Sequence, residues 1–85
     1  VEAKGKSMEP KIQAGDLVIA RKVSQPENGK VYVCVNDGEA LIKKFQQDGK
    51  TKILRSFNSD FEPFVAAKDF RVEGEVKAVI SRKIL

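Results

Sequence analysis

A chain of 85 residues, 41% apolar and 33% charged, has the length of one small domain and too much apolar content to stay disordered. Its apolar residues never approach the ~20 in a row that cross a bilayer as a helix, and no signal peptide is visible. The net charge of +4 comes from sixteen basic and twelve acidic residues interleaved along the chain, which reads as a solvated surface; there is no arginine-rich block and no helix-turn-helix signal.

There is no histidine, and Cys34 is the single cysteine. An internal disulfide, a histidine-based triad and a zinc centre are therefore not expected, and no metal or cofactor is implied. Cys34 lies in an apolar run and reads as a buried small hydrophobe in a reducing, cytoplasmic setting.

In chain order, residues 1–4 alternate and suit an edge strand. Gly5 permits a bend, and Ser7 is placed to begin a short helix, with Pro10 tolerated early and Met8 and Ile12 on one side. Gly15-Asp16 ends that helix in a turn. Residues 17–23 read as a strand, 24–29 as a loop, and 30–35 as the next strand. Asn36-Asp37-Gly38 is a tight hairpin signal, with residues 39–46 returning antiparallel. A second Asp-Gly turn at 47–50 leads to a strand at 51–55. A loop with aromatic anchors covers 56–63, a short strand 64–66, and a long strand 69–81, bent or bulged at Gly74. Many short strands with one short helix predict a mostly-β domain, a small partly open barrel or curled sheet.

Two stretches carry possible chemistry. Ser7 is either a helix N-cap or a nucleophile whose neighbouring backbone N–H groups can hold an oxyanion. Lys43 and Lys44 interrupt the apolar run Leu41-Ile42-Lys43-Lys44-Phe45. Strand alternation puts Lys43 with Leu41 and Phe45 on one face and Lys44 with Ile42 on the other. One lysine is thus drawn beside buried residues, where desolvation lowers its pKa. A serine beside such a lysine is a nucleophile–base pair.

Six motifs then follow one another: Gly5-x-Ser7-Met8-x-Pro10, Gly15-Asp16-Leu17-Val18, Gly29-x-Val31, Ile42-Lys43-Lys44-Phe45, Leu54-x-Ser56-x-Asn58-Ser59-x-Phe61-x-Pro63, and Val72-x-Gly74-x-Val76. In this order and spacing, over nearly the whole chain, they resemble the C-terminal domain of LexA-like proteins, the group of LexA, the UmuD mutagenesis protein and lambdoid phage repressors. Type I signal peptidases are similar over Ser7 to Pro10 and the later Ile-Lys-Lys, but they usually carry a membrane anchor and a larger insert, and the 58–63 stretch favours the LexA-like branch.

The resemblance implies a small β domain, residues 1–85, that dimerises a repressor and cuts its own chain. Ser7 matches the nucleophile and Lys43 the general base. The backbone N–H groups of Lys6 and Ser7 match the oxyanion hole, and Gly15 and Asp16 the supporting turn. The implied partners are a second copy, a RecA filament on single-stranded DNA as co-protease, and operator DNA through an N-terminal domain; no membrane is implied. The chain starts without methionine and is read as a piece of a longer protein, the DNA-binding domain and the linker with the scissile bond lying outside it. Lys6 stands where the family varies, and Lys30 where many members have Asp. A dimer is expected through the last strand, Phe70 to Ile84, with its apolar end at Val79, Ile80, Ile84 and Leu85. Two alternatives are a purely structural oligomerisation domain and a soluble fragment of a signal peptidase.

Overall fold

Turn chemistry sets the framework. Asp37 and Gly38 both have positive φ, 52° and 76°, the pairing a two-residue type I′ hairpin requires. They join β2 (Val31–Asn36) to β3 (Glu39–Asp48) in a register that opposes Tyr32 to Lys43 and Cys34 to Leu41. The Asp69 carboxylate closes this turn by accepting the N–H groups of Asp37 and Gly38, at 2.6 and 2.8 Å. The second hairpin turns at Gly49, φ 61°, and pairs β3 with β4 (Thr51–Arg55) from Asp48–Thr51 to Lys44–Arg55.

The computed structural model describes residues 1–82. With β1 (Leu17–Lys22), β5 (Phe64–Val65) and β6 (Arg71–Ile80), the strands form one antiparallel sheet in the order β1-β6-β2-β3-β4-β5. The sheet is open and curled, as the sequence predicts. The bend expected at Gly74 is two bulges in β6: the pairing skips Glu73 opposite β2 and Lys77 opposite β1. Gly74 leaves little room for a side chain; a Cβ there would lie 3.1 Å from both the Ala20 Cβ and the Arg21 carbonyl oxygen.

The expected short helix is not formed. Residues 7–11 are successive turns, with bonds from the Glu9 N–H to the Lys6 carbonyl (3.1 Å) and from the Ile12 N–H to the Met8 carbonyl (3.0 Å). Pro10 has no N–H to donate, and Gly15 turns the chain within a few residues, so no ladder can propagate. Residues 1–4 make only an isolated bridge, Glu2 to Leu17, rather than a strand.

Strand alternation divides the apolar residues into two clusters. Ala3, Met8, Ile12 and Val18 form one, with Val33, Ile42 and Phe57 against it. Tyr32, Phe45 and Leu54 form the other, with Val72 and Phe70, whose ring stacks on Phe45 at 5.9 Å. Tyr32 is buried without an orphaned hydroxyl, which accepts the Glu27 N–H at 2.7 Å. The last strand does not lie at the edge of the sheet. Its first half pairs with β2 and its second half with β1, so, among the described residues, 76–80 have no strand partner on the side away from β1. Val79 and Ile80 are exposed there; Ile84 and Leu85 lie outside the described residues.

Candidate active site

Lys43 owes its position to the end of the β3–β4 ladder. That ladder stops at Lys44–Arg55, so the next residue on each strand, Lys43 and Ser56, face each other where the strands part. The Lys43 side chain is buried, 7% exposed, and its Nζ donates to Ser56 Oγ at 2.9 Å. The ring of Phe61, from the same loop, lies 5.8 Å from Nζ. Burial pushes the Lys43 pKa below the ordinary lysine value, and a smaller contribution from Cys34 opposes the shift. Cys34, on the same face of β2 as Tyr32, is buried, and its thiol is pushed up to about 11 by desolvation, with Lys43 acting the other way.

Ser7 reaches the same place from the other side. It is half-buried on the turn before Met8, and it lines with Lys43, Met8, Leu41 and Ile42 a cavity of about 290 Å³. Ser7 and Lys43 share this cavity without a hydrogen bond between them; the bond of the lysine goes to Ser56. The N-cap alternative for Ser7 has no helix to cap. Among the described residues, the N–H groups of Lys6 and Ser7 have no acceptor and remain available to a ligand.

Gly15 and Asp16 act as a brace. The Gly15 N–H bonds the Ala3 carbonyl at 2.9 Å, and the Ala3 N–H bonds the Asp16 carbonyl at 2.8 Å. The Asp16 carboxylate accepts the Gln13 N–H at 2.9 Å. This ties the segment leading into Ser7 to the start of β1. Lys44, on the opposite face from Lys43, has its Nζ 5.9 Å from the Phe57 ring, which Lys11 approaches from 5.1 Å.

The sequence pattern singled out Ser7 and Lys43 and missed Ser56 as the partner of the lysine. The signal was present in the turn. A two-residue connection at Gly49-Lys50 pairs Asp48 with Thr51, and counting outward from there puts Ser56 opposite Lys43. Among the described residues there is no cluster of potential metal ligands, and no helix is long and apolar enough to cross a membrane.

Residues 1–77 match the Peptidase S24-like family. The chain is 37% identical over 84 residues to the LexA repressor of Thermotoga petrophila, covering 96% of this chain and 43% of that protein. It is 41% identical over 70 residues to the LexA repressor of Syntrophobacter fumaroxidans, covering 81% and 34%. Against LexA repressor 2 of Nocardia farcinica the identity is also 41% over 70 residues, covering 82% and 28%. The chain thus spans less than half the length of these curated relatives.

Proposed function

Because this chain belongs to the Peptidase S24-like family, we propose that it is the C-terminal catalytic and dimerising part of a LexA-like transcriptional repressor, and that Ser7 and Lys43 cut the parent polypeptide in the linker preceding this domain. The observation that carries this reading is the buried Lys43, held by Ser56 in the cavity that Ser7 lines. A lysine must be neutral to act as a base, and burial favours the neutral amine.

The chemistry follows. Neutral Lys43 Nζ takes the proton of Ser7 Oγ as the oxygen attacks the scissile carbonyl carbon. The carbonyl oxygen becomes an oxyanion facing the N–H groups of Lys6 and Ser7. Lys43 then passes its proton to the leaving amine as the C–N bond breaks, and water resolves the acyl-enzyme by the same route in reverse. The steps need no cofactor. As in other LexA-like proteins, a RecA filament on single-stranded DNA is the proposed co-protease, and operator DNA is bound in the cytoplasm by an N-terminal domain of the parent protein. Dimer formation is supported by the edge of residues 76–80, which no strand among the described residues covers on the side away from β1, and by the exposed Val79 and Ile80 on it.

The test incubates purified full-length protein at about pH 7 and about pH 10, bracketing the lysine range, and separates the fragments on a gel. Cleavage is expected to rise with pH and to vanish in Ser7→Ala and in Lys43→Ala. Cleavage unaffected by Ser7→Ala overturns the assignment. A wild-type protein that stays intact at high pH and with the RecA filament leaves the structural oligomerisation domain as the function.

A further inference from the structure

Asn58 grips the backbone on which Ser7 stands. Its side-chain Nδ2 donates to the Lys6 carbonyl at 3.0 Å, and its own N–H donates to the Ser7 carbonyl at 2.9 Å. Two local bonds hold Asn58 itself: Oδ1 accepts the Asp60 N–H at 3.0 Å, and its carbonyl accepts the Phe61 N–H at 3.1 Å. Asn58 therefore reaches two successive carbonyls 51 and 52 residues earlier in the chain from a loop that its own turn has stiffened.

The peptide unit converts this grip into an aim. In a trans peptide the C=O and N–H bonds point in opposite directions within one plane. The Lys6 carbonyl and the Ser7 N–H belong to the same unit, so turning that carbonyl toward Asn58 turns the Ser7 N–H away from it. A hydrogen bond accepted by the carbonyl also polarises the N–H on the far side and makes it a better donor. The same loop carries Ser56, two residues earlier, which holds Lys43. One short segment thus touches both members of the pair, the base through a side chain and the nucleophile through its backbone.

We propose that Asn58 is a positioning residue for the nucleophile, fixing the Lys6–Ser7 peptide so that the Ser7 N–H faces the developing oxyanion. The inference rests on the Ser7–Lys43 reading above. The Glu9 N–H also bonds the Lys6 carbonyl, at 3.1 Å, so losing the Asn58 amide loosens the peptide without freeing it. The expected effect is accordingly smaller than the 10²- to 10³-fold that follows deletion of an oxyanion donor, at roughly 10- to 100-fold.

The test is Asn58→Asp in the full-length protein. The carboxylate still accepts the Asp60 N–H, and the backbone bond to the Ser7 carbonyl remains, but an oxygen now faces the Lys6 carbonyl where the amide donated. Two rates are followed from pH 7 to 10.5, each normalised to the folded fraction by circular dichroism: self-cleavage, and phosphonylation of Ser7 by a fluorophosphonate. The expected result is a plateau lowered roughly 10- to 100-fold in both, with a pH midpoint that does not fall, because Ser56 still holds Lys43 and an added carboxylate can only favour the ammonium. Wild-type and Asn58→Asp proteins that react within twofold of each other at every pH overturn the positioning role and leave the Ser7–Lys43 assignment standing. A midpoint that falls with the plateau also overturns it, since Asn58 would then act through the lysine. A wild-type protein that neither cuts itself nor takes the phosphonate at Ser7 removes both readings together.

Discussion

The thiol of Cys34 should make stability fall as pH rises above the ordinary thiol value. Its side chain is 1% exposed, and its pKa stands at about 11 against an ordinary 9.0. In the unfolded chain the thiol ionises near 9; in the folded protein it stays protonated to about 11. The folded state then holds more protons than the unfolded state across this window, so stability falls as pH rises through it. At about 1.36 kcal/mol per pH unit, two units correspond to roughly 2–3 kcal/mol. Lys43 works in the opposite sense: its pKa is lowered on folding, so its contribution grows as pH approaches the ordinary lysine value. Cys34→Ala removes the first effect and keeps the second. Urea unfolding of both proteins at half-unit steps from pH 8 to 11 should show wild type losing roughly 2–3 kcal/mol relative to the variant, on top of a constant offset for the lost sulfur. Parallel curves across that range would refute the argument, because they would mean the thiol titrates normally and is in contact with water.

Three further outcomes are expected. Ser56→Ala should lower self-cleavage roughly tenfold and move its pH midpoint downward, because a hydrogen bond to the charged ammonium is worth more than one to the neutral amine; an upward shift in the pH–rate profile would contradict this. Gly74→Ala should cost roughly 1–3 kcal/mol in chemical denaturation, since its Cβ meets β1 backbone at 3.1 Å and the strands must separate; an unchanged midpoint would show that β1 yields freely. Asp69, its carboxyl held below the usual range chiefly by the Gly38 and Asp37 N–H bonds, contributes stability above the ordinary carboxylate pKa that is lost as pH falls through its folded value. Asp69→Ala should therefore be less stable than wild type near neutrality and converge with it in acid, as thermal melts at pH 2 to 7 would show.

What the sequence reveals of this fold is what turn chemistry and strand alternation govern. Asp37-Gly38 can supply the two positive φ angles of a tight hairpin, and that hairpin forms. Alternation along β3 separates Lys43 from Lys44, and the structure buries the first and leaves the second half-exposed over Phe57. The helix at Ser7 failed because an N-cap serine and a Met8–Ile12 spacing are local signals, while Pro10 and Gly15 left too few residues for a ladder. Ser56 and Asn58 were visible only as motif letters. Their roles depend on which distant groups the fold brings within 3 Å, and that follows from register and loop path rather than from residue type.

The two halves of the site differ in how far apart their parts lie along the chain. Lys43 and Ser56 are 13 residues apart and are joined by one tight hairpin. Ser7 is fixed by Asn58, whose amide bond to Lys6 spans 52 residues, and by the turn into β1, whose first residue, Leu17, pairs with Ile80. Closing long loops costs entropy before any contact repays it, so nearby pairings form ahead of distant ones. The expected order of folding is β2–β3–β4 first and β1–β6 last. Pulse-labelled amide exchange during refolding should protect Phe45, bonded to the Lys30 carbonyl, before Ile19, whose N–H lies on the β6 side of β1, and the reverse order would sink the idea. A chain still folding would then carry its base in place with no nucleophile beside it, and the capacity to cut would arrive only when the last strands close.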